Sequence, residues 1–415
     1  MGESVEISAP ESIKPFSIAR LPKILFGSGR AVELAATVRS FGSRALVVVR
    51  PGFCDTPDWL RLDAGLTAAG IDLQIETVEG EPSPELIDGI VVRARAGERP
   101  DVVVGIGGGS VLDTAKAAAG LAIPGNSVFD HLEGVGPELP YRGPSIPFVA
   151  VPTTAGTGSE ATKNAVVSKP GRAGFKKSFR DDSLVARVAI VDPDLLASCP
   201  PALISANGMD ALTQLIEPYV STRSNPFTDA LALSGLAAAR DGLVAWFEEA
   251  GAGRGADGPG SRASVARGKM AYAALCSGIC LAQAGLGAVH GLASPCGAQY
   301  PIPHGAACGA TLAVATRANL AALESREPRS PALARYAELG RLLGGPATTE
   351  ARARSNLVDL LDDWRARLDV PRLGAFGIDE SSIPALVADS RGSSMKTNPV
   401  VLTDDEIASI LRESL

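Results

Sequence analysis

In Gly208-Met-Asp-Ala-Leu-Thr-Gln214, two polar residues interrupt an apolar helical stretch: Asp210 and Gln214 stand at i and i+4 and share one face. A carboxylate buried on such a face must be paired, protonated or metal-bound. The chain has three histidines, and two of them, His290 and His304, fall in one segment punctuated by Pro295, Pro301 and Pro303. Those prolines predict a broken helix, so the two imidazoles can converge rather than lie along a rod. A single histidine is more often structural than a ligand, but two of three in one irregular segment point to function. An aspartate, two histidines and the amide oxygen of Gln214 can hold a divalent metal, Fe2+ or Zn2+, with a position left for a substrate oxygen. Such an ion polarises a carbonyl or lowers the pKa of an alcohol for hydride transfer, and Asp210, His290 and His304 are the expected catalytic centre. His131, in Phe129-Asp-His-Leu-Glu133, has no such company and reads as a loop residue.

Two Gly-rich turns suggest a second ligand. Gly107, Gly108, Gly109 and Ser110 follow the apolar run Val102–Val104 and precede a helix-like stretch, Val111 to Leu121. Glycine there lets a pyrophosphate approach the backbone, and the helix N-terminus offers free N–H groups and the positive end of its dipole. Asp113 and Lys116, three apart on that helix, share a face and read either as part of this site or as a surface ion contact. The second cluster, Pro152-Thr-Thr-Ala-Gly-Thr-Gly-Ser-Glu160, supplies the hydroxyls of Thr153, Thr154, Thr157 and Ser159. Arg50 ends the run Ala45–Val49, where an acid would bind a ribose 2′-hydroxyl and an arginine can accommodate a 2′-phosphate. That favours NADP(H) over NAD(H).

The elements that must position these residues change character along the chain. Apolar runs at Ala45–Val49, Leu73–Val78, Asp101–Val104, Phe148–Val151 and Val188–Val191 read as strands, with a helix over Pro84–Ala96, which predicts a parallel α/β sheet. Beyond Asp192-Pro193 nearly everything reads as helix, including Ile204–Val220, Thr228–Ala250, Ala263–Gln283 and Leu357–Leu368, with Gly251–Gly260 as a loop. The expected fold is a Rossmann-like α/β dinucleotide-binding domain over 1–195 and an all-α metal and substrate domain over 196–415. Both Gly clusters would open on the carboxyl edge of the sheet, where such folds bind ligands.

Composition narrows the partners. Hydrophobic residues make up 46% and charged residues 20%, as expected for a chain with a buried core. A net charge of −7 and a pI near 5.2 argue against a nucleic-acid or anionic-membrane surface. Six cysteines without a CxxC pair read as reduced thiols packed as small hydrophobes, Cys276 and Cys280 among them in the core. Met1–Ile7 carries Glu3 and Glu6 without an apolar stretch, Gly2 lacks the downstream Ser or Thr of a myristoylation signal, and no uninterrupted apolar run reaches a membrane span. A soluble, cytoplasmic protein is expected, acting on a small-molecule substrate as a homodimer or larger homo-oligomer.

Taken together, Gly80-Glu-Pro-Ser, Gly107 to Lys116, Pro152 to Glu160, Val191-Asp-Pro-Asp194, Gly208 to Glu217 and His290 to His304 resemble the iron-containing (group III) alcohol dehydrogenases in order and spacing, from about residue 15 to 320. The resemblance implies a Rossmann-like N-terminal domain, a helical C-terminal domain and a metal in the cleft between them. It puts the metal ligands on Asp210, Gln214, His290 and His304. Two departures stand out. The family's second ligand is a histidine where this chain has Gln214, and a further active-site histidine is Ser294 here. The first puts metal affinity or identity in doubt; the second leaves the acid step to water or a hydroxyl. The acid common after the family's second strand is Arg50, in line with NADP(H).

In Ser390-Arg-Gly-Ser-Ser-Met-Lys396, the side chains of Arg391, Ser393, Ser394 and Lys396 suit an anion, and Lys163 could join them; a solvated basic loop is the plainer reading. With the resemblance, the expected activity is an NAD(P)H-dependent, metal-assisted alcohol dehydrogenase or aldehyde reductase acting on a small anionic aldehyde such as phosphonoacetaldehyde. The alternatives are a metal-independent reductase of the same fold, a lyase resembling dehydroquinate synthase, and a non-catalytic nucleotide-binding regulatory protein. The second would want many more Lys, Arg and His around the metal.

Overall fold

The computed structural model describes residues 13–171 and 174–415; the reading of Met1–Ile7 falls outside them. The parallel sheet is built from β1 (Lys23–Phe26), β2 (Arg44–Val49), β3 (Asp72–Thr77), β4 (Val102–Gly107), β5 (Phe148–Pro152) and, after a hairpin, β8 (Val188–Val191), in the order β1-β8-β5-β4-β2-β3. Alternate side chains of each strand enter different cores. Val47 and Val49 face one apolar cluster, while Leu46 and Val48 face another with the helices α3 (Pro84–Ala96) and α4 (Gly109–Leu121). Both faces are therefore covered, the first with help from α1 (Leu34–Arg39) and α2 (Pro57–Ala68), which explains the near-continuous apolar runs. Chain order reverses between β2 and β4, so the switch point at the carboxyl edge lies between Arg50 and Gly108.

The hairpin, β6 (Asn164–Lys169) against β7 (Phe175–Arg180), is antiparallel and was not expected from the sequence. Its strands mix lysines with apolar residues, so neither reads as a buried run. It packs against the helical half and carries Lys176, Lys177 and Arg180 to the mouth of the cleft.

The helical half comprises α5 (Pro201–Val220), α6 (Pro226–Gly251), α7 (Arg262–Ala284), α8 (Ala288–Gln299), α9 (His304–Arg326), α10 (Pro331–Gly344), α11 (Glu350–Arg367), α12 (Ile383–Asp389) and α13 (Asp404–Glu413). The helix α5 packs against α6, α7 and α9, and every residue from Gly208 to Val220 is buried. The helix α8 runs through Pro295, so the prolines break the segment only at residues 300–303. By length and composition α6 and α9 would each suffice to cross a membrane, although Arg240 and Asp241 interrupt the apolar stretch of α6 and Arg317 that of α9. The apolar stretch of α9 is mostly buried inside the protein, as a helix hydrophobic all round should be.

Two contacts fix how the halves and the site loops meet. Gly158, at φ +60°, lies against Gly278 in the middle of α7: a Cβ on Gly278 would fall 2.2 Å from the Gly158 carbonyl oxygen. The second contact is Lys116, fully buried in α4. Its ammonium donates to Ser159 O at 2.9 Å, Ser159 Oγ at 2.8 Å, Thr162 Oγ1 at 3.0 Å and Asn164 O at 2.6 Å, with Asp113 Oδ1 at 3.5 Å. Asp113 in turn accepts from Ser159 Oγ and from the Val166 N–H at 3.0 Å. Burial pulls the Lys116 pKa down, while the ring of oxygens and Asp113 holds the charge in place. The pair braces α4, the Thr153–Ser159 loop and β6 into one unit and is not a surface contact.

Gly278→Ala should cost about 1–3 kcal/mol of stability by overpacking against backbone, outweighing the ~1 kcal/mol that alanine gains in a helix; urea unfolding reads it. Lys116→Met should cost about 3–5 kcal/mol because it strands the Asp113 carboxylate, and Lys116→Met with Asp113→Leu should recover part of that loss in the same assay.

Candidate active site

A cavity of about 1130 Å³ runs from the carboxyl edge of the sheet to the N-terminal ends of α8 and α9. At the sheet end its wall is formed by Gly108, Gly109 and Ser110 at the N-terminus of α4, by Thr153, Thr154, Thr157 and Ser159, and by Arg50 and Asp113. No side chain caps the first turn of α4 and no acid lies in it, so its backbone N–H groups are available to an anion. Gly107 ends β4 and does not reach the cavity, and Lys116 lies beneath it, drawn into its ring of oxygens. Both are corrected from cofactor contacts to positioning roles. The Arg50 guanidinium sits 5.9 Å over the Phe53 ring and donates to Pro51 O at 3.3 Å.

At the helical end Asp210, Gln214, His290 and His304 share the wall. Asp210 is 1% exposed. Its Oδ1 lies 3.2 Å from His290 Nε2, 3.8 Å from His304 Nε2 and 3.7 Å from Cys308 Sγ. Gly305 makes this convergence possible: a Cβ there would fall 2.1 Å from Ala206 O, so only glycine lets the first turn of α9 close on α5. Burial works against the Asp210 charge, but the His290 hydrogen bond and the nearby His304 outweigh it and hold the carboxyl below its ordinary range. Burial pushes His304 down to about 4, and its Nδ1 finds no partner among the described residues. Burial opposes the charge of His290 as well, yet Cys308, Glu217 and Asp210 hold its pKa well above the usual value.

Gln214 points the wrong way for a ligand. Its Nε2 donates to Asp210 Oδ1 at 2.9 Å and its oxygen accepts from Ser277 Oγ at 3.0 Å. A carboxylate oxygen can only accept, which fixes the amide in this orientation. Ser294 lines the cavity, but its hydroxyl donates to His290 O at 3.1 Å, one turn back in α8.

Two site residues escaped the sequence reading. Glu217 accepts from His290 Nδ1 at 2.6 Å and from the Val289 N–H at 2.7 Å, fixing the ring so that Nε2 faces Asp210. Its position seven residues after Asp210, two turns along one buried face, was a usable signal. Cys308, read with the other thiols as a small hydrophobe, lies among the donors instead, and burial pushes its thiol up to about 11.

The expected anion cluster is only partly assembled. Ser393, Ser394 and Lys396 line the cavity, with Lys176, Lys177 and Arg180 of β7 across from them. Arg391 turns away to Leu402 O and Asp404, and Lys163 pairs with Asp182 at 2.8 Å; neither lines the cavity, because each long cation reaches a nearer oxygen. His131 is held by Asn126 and Leu139 O, each at 2.8 Å, apart from the cavity.

Comparison with known proteins gives the family. Residues 22–193 match the iron-containing alcohol dehydrogenase family, and residues 204–415 match the C-terminal domain of the Fe-containing alcohol dehydrogenase family. Alcohol dehydrogenase 4 of Schizosaccharomyces pombe is 32% identical over 413 residues, covering 98% of this chain and 91% of that protein. Among solved structures, 1,3-propanediol oxidoreductase is similar with a TM-score of 0.85 at 27% identity, over 97% of this chain and 100% of that one. The sulfoacetaldehyde reductase of Bifidobacterium kashiwanohense, solved in complex with NAD+, gives 0.80 at 28% identity, over 96% and 98%. The chain belongs to the iron-containing alcohol dehydrogenase family and is an oxidoreductase interconverting alcohols and aldehydes.

Proposed function

We propose that this chain is an NADP(H)-preferring, metal-assisted reductase of a small aldehyde bearing an anionic group, with phosphonoacetaldehyde to hydroxyethylphosphonate as the type reaction. The observation that carries the reading is one continuous cavity joining the glycine and threonine loops to the Asp210–His290–His304 cluster and to the Ser393–Lys396 segment.

The residues fit a divalent ion. One carboxylate oxygen and two imidazole nitrogens converge at the cavity wall, and Glu217 provides the outer hydrogen bond that metal-binding histidines usually have. When bound, the ion supplies Lewis acidity toward the substrate oxygen, and the nicotinamide supplies or accepts the hydride. The chain's own side chains do the rest. Gly108, Gly109 and Ser110 seat the pyrophosphate at the N-terminus of α4, and Thr153, Thr154, Thr157 and Ser159 offer hydroxyls beside it. Arg50, at the end of β2, faces the place of a ribose 2′-phosphate. Ser393, Ser394 and Lys396, opposite Lys177 and Arg180, hold the anionic tail. Lys176 already serves Glu81 at 3.0 Å, and Arg180 shares its charge with Glu133 at 3.1 Å. With Ser294 in place of an imidazole, the proton completing the alcohol comes from water or a cavity hydroxyl. A relative in fold named for an aldehyde carrying a sulfonate supports the anionic class.

We take the protein to act in the cytoplasm as a homodimer or larger homo-oligomer. The outer edge of β1, with Ile24 and Phe26 exposed, supports self-association.

In a panel followed by NADPH oxidation, kcat/KM for phosphonoacetaldehyde should exceed that for acetaldehyde by about 10–100-fold, the worth of one hydrogen bond to a charged group. Equal rates would contradict the anionic tail. Arg50→Ala should raise KM for NADPH by about tenfold, from loss of one charge-assisted contact, and leave KM for NADH nearly unchanged.

A further inference from the structure

Asp210, His290 and His304 give the cluster three donors, and Gln214 does not add a fourth. Its amide N–H is committed to Asp210 at 2.9 Å, which turns its only ligating atom, the amide oxygen, toward Ser277 and away from the cluster. Another side chain stands where a fourth donor belongs. Cys308 lies one turn after His304 on α9, so the two share a face. Its sulfur is 3.7 Å from Asp210 Oδ1, 3.9 Å from His290 Nε2 and 3.9 Å from His304 Nε2.

These separations have the size of a coordination polyhedron. Tetrahedral zinc with bonds of about 2.0–2.3 Å to N, O and S has edges of about 3.3–3.6 Å between its donor atoms. The Asp210–His290 edge is 3.2 Å, the Asp210–His304 edge is 3.8 Å and the three sulfur edges are 3.7–3.9 Å, and all four donor atoms lie within 4.8 Å of one another. The placement also makes chemical sense. Asp210, His290 and His304 line the cavity whereas Cys308 does not, so its sulfur closes the back of the cluster and leaves the cavity side to substrate.

We propose that Cys308, and not Gln214, is the fourth protein ligand of the metal, and that the resulting carboxylate, two-imidazole and thiolate set selects Zn2+ over Fe2+. Softer thiolate donors favour zinc, and zinc lies above iron in the intrinsic affinity order of divalent ions. The inference rests on reading the cluster as a metal site, and its test separates the two.

The full-length protein is stripped of metal, loaded with Co2+ and examined by near-ultraviolet absorption, where a sulfur-to-cobalt charge-transfer band reports a thiolate ligand. The expected result is one cobalt per chain with that band, the band absent in Cys308→Ala and Cys308→Ser, and the band intact in Cys296→Ala, which removes a neighbouring buried thiol. Zn2+ affinity of Cys308→Ser should fall by more than the roughly 10–100-fold that loss of an outer-shell partner costs. Melting temperatures of the variants show whether they are folded; if both position-308 variants unfold, the wild-type spectrum decides alone. One bound cobalt without the sulfur band would overturn the role of Cys308 and leave the metal site standing. No bound cobalt would overturn both, and Fe2+ outcompeting Zn2+ in the wild type would overturn the selectivity.

Discussion

The carboxylate of Asp210 sets the terms for the helical half of this protein. It sits 1% exposed on a helix buried along its length from Gly208 to Val220. Taking a carboxylate out of water costs several kcal/mol unless other groups compensate. The compensation comes from the α8 and α9 imidazoles, the α9 thiol, and the amide of Gln214 one turn along α5 itself. The irregular connection at residues 300–303 and the bare backbone of Gly305 bring those groups close enough to act. A packed hydrophobic core is thereby organised around one polar centre, and that centre forms part of the cavity wall.

The sheet supplies the other half of the chemistry, and its distance from Asp210 is fixed by packing. Gly158 against Gly278 locks the threonine loop onto α7, and Ser277, the neighbouring residue on α7, places its hydroxyl 3.3 Å from Gly156 O and 3.0 Å from the Gln214 oxygen. Movement of the glycine and threonine loops would therefore be felt at the Asp210 cluster through one helix. The buried Lys116–Asp113 brace adds stiffness from below, joining α4 to the same loop without touching the cavity with its ammonium. Hydride transfer needs donor and acceptor held within a fraction of an ångström, and these contacts are of the kind that hold it.

Much of this was legible in the sequence, for physical reasons that also explain the gaps. Parallel strands buried on both faces must be apolar at every position, so Ala45–Val49, Phe148–Val151 and Val188–Val191 stood out within a residue of their observed ends. The hairpin with Lys176 and Lys177 stayed hidden because a partly exposed antiparallel pair tolerates polar residues at many positions. Asp210, His290 and His304 converge as the rarity of histidine and the broken helix suggested, although Pro295 itself leaves α8 unbroken. Lys163 and Arg391 could not be placed from sequence, because a flexible cation near the surface goes to whichever oxygen the tertiary fold puts nearest, here Asp182 and Asp404. Cys308 was invisible for another reason: in sequence a buried thiol beside a carboxylate and two imidazoles looks the same as one filling a gap between helices.

The most direct test of metal-assisted chemistry in this cleft is anomalous diffraction from crystals of the protein grown with Zn2+ and NADPH. The expected result is a single strong peak at the cavity wall, shared by Asp210, His290 and His304, with the dinucleotide lying along Gly108–Ser110. A protein that turns over aldehyde in the same crystals with no peak at that position would contradict it.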